Sequence, residues 1–122
     1  MFYTFYTRTR APTAGVISVT EPLSVTAADS GKTYSLDSEM ASIYLPARGD
    51  ISTGWTITMQ CTVTGRYCNV QPGDIGLGIV MFDGDGCDGI SMNSLDAQAT
   101  IEFTGTLYEA TRLAGAVNGY WD

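Results

Sequence analysis

Apolar and polar residues alternate without a break from Trp55 to Thr64. Trp55, Ile57, Met59, Cys61 and Val63 fall on one face, and Thr56, Thr58, Gln60, Thr62 and Thr64 on the other. Side chains on a strand point to opposite faces in turn, so this stretch predicts a β-strand with one face in a core. Its β-branched residues suit a pleated surface and are stiff in a helix. Gly65-Arg66 predicts a turn, and Tyr67 to Val70 a return strand, so residues 55–70 read as a β-hairpin.

The rest of the chain divides into short segments of the same kind. Val16 to Val19 and Leu23 to Val25 are strand candidates split by Glu21-Pro22. Proline cannot donate to a strand ladder, which confines this region to an edge or a turn. Asp29 to Lys32 predicts a turn, Tyr34 and Leu36 a short strand, and Ser42 to Pro46 another with Ile43 and Leu45 inward. Ile75 to Phe82 is an apolar run interrupted by Gly76 and Gly78, which predicts a bulged or crowded strand. Ala99 to Thr104 alternates with Ile101 and Phe103 inward, Leu107 to Leu113 follows as a strand, and Gly115 to Gly119 as a turn. The only helical periodicity is weak and lies around Ser94 to Ala99. Strands at this spacing predict an all-β fold: an antiparallel β-sandwich or jelly-roll-like domain with an extended N-terminal arm. The expected division is 1–28 for the arm and connecting strands and 29–122 for the sandwich.

The 122 residues fit one domain. No apolar run approaches the length of a membrane span, and nothing at the N-terminus has the apolar core of an export signal. The net charge of −7 argues against a nucleic-acid-binding body. The charge is also uneven. Residues 1–10 carry Arg8 and Arg10 and no acid, whereas all 13 acidic residues lie in the remainder. The first ten residues also hold Phe2, Tyr3, Phe5 and Tyr6, which are costly to leave in water. A basic aromatic arm on an acidic body suggests a partner for the arm itself. An edge strand of the same domain is the plainer alternative.

Candidate chemistry is sparse. With no histidine, a Ser–His or Cys–His pair is excluded, the one lysine sits in a predicted turn, and no catalytic residue is assigned. Cys61, Cys68 and Cys87 are an odd set. A Cys61–Cys68 cross-strand disulfide and three reduced core thiols are both open, and a zinc site lacks ligands. Asp83, Asp85 and Asp88 concentrate carboxylates in a glycine-rich loop. The loop departs from the EF-hand, with Cys87 at a ligand position and Asp88 where glycine is required. A solvated Gly/Asp turn cluster is the plainer reading, and neither a metal nor a cofactor is expected. Arg48-Gly49-Asp50 is a loop triplet that occurs often by chance. The seven tyrosines and two tryptophans suit either interfaces or sugar binding.

Five short stretches between Gly31 and Trp121 carry a family resemblance. They are Gly31-Lys-Thr-Tyr34-Ser-Leu36, Ile43-Tyr-Leu45-Pro46, Gly54-Trp55-Thr-Ile57-Thr-Met59, Asp88-Gly89-Ile90 and Asn118-Gly119-Tyr120-Trp121. Together they resemble a β-sandwich module of phage virion proteins, found in head-decoration or head-fibre proteins and in tail-fibre and needle tips. The resemblance covers about three-quarters of the chain. It implies a sandwich that is commonly trimeric and displayed on the outer surface of a particle, with no catalytic residues. On that expectation Phe2, Tyr3, Phe5, Tyr6, Arg8 and Arg10 form an arm that binds the major capsid protein or another virion protein, with neither nucleic acid nor membrane as partner. An arm of about a dozen extended residues reaches ~35 Å, enough to clasp a neighbouring surface by strand addition. A receptor-binding tip and a carbohydrate-binding module are the alternative roles.

Overall fold

The computed structural model describes residues 15–121. They form an all-β sandwich of two sheets. The larger holds seven strands: β1 (Val16–Val19), β3 (Thr33–Leu36), β5 (Thr56–Cys61), β7 (Val80–Phe82), β8 (Asp85–Cys87), β10 (Gln98–Phe103) and β11 (Tyr108–Ala114). The smaller holds five: β2 (Pro22–Ser24), β4 (Ser42–Tyr44), β6 (Arg66–Asn69), β9 (Gly89–Met92) and β12 (Val117–Tyr120).

The pairing is mixed, where a wholly antiparallel sandwich was expected. From β1 to β7 the chain changes sheet at every connection. Each strand therefore returns to its own sheet pointing the same way as before. β1, β3 and β5 are parallel neighbours in one sheet, and β2, β4 and β6 in the other. Parallel strands need a crossover connection, usually a helix; here the crossover is the strand in the opposite sheet. The first half of the body is thus a flattened coil of three turns. β7 runs in the same direction but lands beyond β10 and β11, which enter the sheet as an antiparallel pair between β5 and β7.

The coil corrects several local expectations. Residues 55–70 are not a hairpin, because β5 and β6 belong to different sheets; the chain turns a corner at Gly65, whose φ is +71°. Only Val80–Phe82 of the 75–82 run is strand. Gly76 and Gly78 have φ of +86° and +65°, and such backbone cannot continue a ladder. Residues 83–89 are largely strand rather than loop. Asp83-Gly84, both with positive φ, make the two-residue turn that joins β7 to β8. Gly119 lies inside β12 instead of a turn, and the weak helical pattern near Ser94 resolves into a turn before β10. Pro22 does sit on an edge strand, β2.

The core fills the space between the sheets. Across the larger sheet, Tyr34, Met59 and Ala99 lie in register, as do Ile57, Ile101, Ala110 and Phe82. Ile43, Cys68 and Ile90 face them from the smaller sheet, and all are buried. β5 alternates as its sequence predicts, with Ile57, Met59 and Cys61 buried and Thr56, Thr58 and Gln60 half-buried. Val63, beyond the end of the strand, is half-buried. Trp55 packs edge-on against Tyr108, with ring centroids 6.3 Å apart, and its indole N–H donates to the Thr26 carbonyl at 3.1 Å. The Tyr108 hydroxyl donates to the Pro46 carbonyl.

A single carboxylate ties the coil together at one end. Asp37 accepts hydrogen bonds from Ser18 (2.5 Å), Ser35 (2.6 Å) and Thr62 (2.9 Å), residues on or just beyond β1, β3 and β5. Burial opposes ionisation of Asp37, but the three hydroxyl donors outweigh it and hold its pKa below the usual value. A depressed carboxylate stabilises the fold above its unfolded pKa, near 4, and that contribution disappears as pH falls through the folded pKa. Asp37→Ala is therefore expected to cost about 1–2 kcal/mol at neutral pH. Denaturant unfolding of the two proteins as a function of pH checks this: the gap should shrink below about pH 4, and a constant gap would assign the effect to packing alone.

Candidate functional site

The smaller sheet carries an aromatic surface on its outer face. The pairing sets Tyr44, Asn69, Gly89 and Tyr120 in one row across four strands, and Ser42, Tyr67, Ser91 and Asn118 in the next. Side chains two apart on a strand share a face, so the Tyr67 and Tyr120 rings meet diagonally across the sheet. Their centroids are 5.2 Å apart in an edge-on arrangement. The contact depends on Gly89. A Cβ there would lie 3.0 Å from the Tyr120 ring and 2.2 Å from the Cys68 carbonyl oxygen. The ring occupies the space that the absent side chain leaves.

Trp121 extends this surface beyond β12. It is 60% exposed, and a Cβ on Gly78 would come within 3.0 Å of its indole. Trp121 divides two grooves. One, of about 350 Å³, is lined by Tyr44, Tyr67, Asn69, Tyr120 and Trp121, with no charged residue in its wall among the described residues. The other, of about 580 Å³, runs past Phe82 and Asn118 and includes Asp83 and Asp85. Asn69 lines the neutral groove, and its Oδ1 is shielded from solvent and has no hydrogen-bond partner among the described residues. An acceptor left unpaired in this way costs about 1–3 kcal/mol.

The residues singled out in the sequence are distributed differently. Phe2, Tyr3, Phe5, Tyr6, Arg8 and Arg10 lie outside the described residues. Asp83 and Asp85 are exposed at the β7–β8 turn, whereas Asp88 is buried. The Asp88 carboxylate accepts from the Gly76 N–H at 2.8 Å, and its own N–H donates to the Tyr120 carbonyl at 2.8 Å. Asp88 thus holds the irregular 72–79 segment and β12 in place. Among the described residues no three His, Cys, Asp or Glu side chains gather as a metal-ligand set. Arg48–Asp50 forms a 3-10 turn, and the Arg48 guanidinium donates to the Thr106 carbonyl at 3.1 Å.

The three cysteines are separately buried free thiols. Burial pushes the pKa of all three up, most strongly for Cys68. The thiolate is the reactive form, so none of them is an activated nucleophile. Burial likewise raises Tyr34, to about 12, and Asp29 adds to the shift.

Sequence reasoning counted the aromatic residues but could not assemble them. Tyr44, Tyr67 and Tyr120 become neighbours only through the β4–β6–β9–β12 pairing, and neither the parallel nor the long-range part of that pairing leaves a local signal. Comparison with family models finds no match, and comparison with curated proteins finds none either.

Proposed function

We propose that this chain is a structural virion protein: a capsid decoration protein of the cement or head-fibre kind, displayed on the outside of a phage particle. The arm, Phe2 to Arg10, anchors it to the major capsid protein or a neighbouring virion protein. The sandwich is the part that faces solvent, and three copies assemble together. The observation that carries this reading is where the arm joins the body. In sequence, residues 1–14 precede β1, which among the described residues is an edge strand of the larger sheet paired on one side. A basic aromatic segment thus adjoins in sequence a strand suited to the addition of a further strand, on an otherwise acidic domain. The family resemblance of the Gly31 to Trp121 region supports the same role.

Deletion of residues 1–12 is the test. The truncated protein should unfold at the same denaturant concentration as the full chain but no longer sediment with particles. Undiminished co-sedimentation would refute the anchor. Attachment at the tail instead of the head would favour the receptor-binding tip. Light scattering on the purified protein tests the trimer, and a monomer at micromolar concentration would contradict it.

A further inference from the structure

We propose that the outer face of the smaller sheet is a binding site for neutral oligosaccharides, with Tyr67, Tyr120 and Trp121 as the stacking surface and Asn69 as the hydrogen-bonding group. This inference concerns the body alone and does not depend on the arm or on particle attachment. Three observations carry it.

First, the exposed aromatics are concentrated. Tyr67 and Trp121 are 42% and 60% exposed, and they share one groove with Tyr44 and Tyr120. A sugar ring presents an apolar C–H face that matches the face of an aromatic ring, while its hydroxyls remain available at the edge. Second, Asn69 brings a side-chain amide to the wall of this groove. Its Oδ1 is shielded from solvent and unpartnered among the described residues, so a sugar hydroxyl pairs with it only when the side chain turns outward, and that turn relieves the cost of an unpaired buried acceptor.

Third, charge selects among saccharides. Among the described residues the groove of Tyr44, Tyr67, Asn69, Tyr120 and Trp121 has no charged side chain, and the groove on the other side of Trp121 brings Asp83 and Asp85. A chain of sugars lying across Trp121 meets a neutral aromatic subsite and then a carboxylate-bearing one. Carboxylates accept hydrogen bonds from neutral hydroxyls but repel uronic and sialic acids. The ligand class is therefore a neutral oligosaccharide of more than one residue. Trp121, resting on Gly78 where a side chain would displace it, is the shared wall.

The test uses the full chain and calorimetric titration with cellohexaose, maltohexaose and chitohexaose, with polygalacturonate as the anionic comparison. At least one neutral hexamer should bind, and polygalacturonate should not. Trp121→Ala and Tyr67→Ala should each weaken binding at least about tenfold, the scale of removing a central aromatic contact, while Tyr67→Phe should retain it. Leu95→Ala, at an exposed residue outside both grooves, should leave it unchanged. Near-ultraviolet circular dichroism of each variant confirms that the fold is kept. Failure of all three neutral hexamers to bind at millimolar concentration would overturn the assignment. So would preference for polygalacturonate, or binding indifferent to both Trp121→Ala and Tyr67→Ala.

Discussion

Trp55→Ala is expected to destabilise the sandwich by about 3–5 kcal/mol, the range for truncating a large buried aromatic residue. Trp55 is 5% exposed and enters the core at the start of β5. Its ring supports Tyr108, which in turn packs against Phe103 at 5.4 Å. Its indole N–H holds the Thr26 carbonyl, in the connection between β2 and β3. Its main-chain carbonyl accepts from the Phe103 N–H at 2.8 Å. Alanine keeps that last bond but removes the ring and the tether together. A loss of this size is a large fraction of the ~5–15 kcal/mol that stabilises an ordinary domain. Trp55→Phe separates the two effects: it restores most of the volume but removes the indole donor. The Thr26 carbonyl keeps the Asp29 N–H at 3.0 Å, so only about 0.5–1.5 kcal/mol of hydrogen bonding should remain lost. Urea unfolding of both variants checks this. Equal, small losses would mean that the ring is not a keystone of the core.

Gly89→Ala is expected to cost about 1–3 kcal/mol, the range for forcing a methyl group into a packed site. Gly89 is the centre of the aromatic row, and the added Cβ has nowhere to go. At 2.2 Å from the Cys68 carbonyl it would push β9 away from β6, and at 3.0 Å from the Tyr120 ring it would lift that ring off the sheet. The first contact is with backbone, which cannot rotate aside. The second is with a side chain that can. The loss should therefore appear both as a lower unfolding midpoint and as a changed near-ultraviolet signal from Tyr67 and Tyr120. Alanine at Gly73, where a Cβ meets nothing within 4 Å, is the control and should be close to neutral.

How far the sequence could be read depended on the range of each signal. The alternation from Trp55 to Cys61 is local, and it placed β5, its buried face and the all-β class correctly. Pro22 marked an edge through the chemistry of one residue. The sheet change at every connection was not legible, because a corner and a hairpin turn draw on the same residues. Gly65 with positive φ suits either, and only the partners of the flanking strands decide between them. Asp83-Gly84 is the reverse case. Its turn chemistry was plain and the two-residue turn is there, but a solvated cluster was expected over the whole stretch, which concealed strand β8 and the buried structural role of Asp88.

The aromatic platform was hidden for the same reason as the coil. Tyr44 and Tyr120 lie in one row because parallel β4–β6 and antiparallel β6–β9–β12 pairings happen to align them. Asn69 sits between them in that row, on a strand whose sequence Arg66–Asn69 has no distinguishing pattern. Asp37 is similar: its three hydroxyl partners come from three separate turns of the coil.

An image of an intact particle carrying this protein tests the central proposal most directly. Sandwich-shaped density should stand on the outer surface of the shell, with the chain before Gly15 running from β1 into the capsid protein. Density elsewhere on the particle, or a body seated by its sheet faces with residues 1–14 making no contact with the shell, would contradict it.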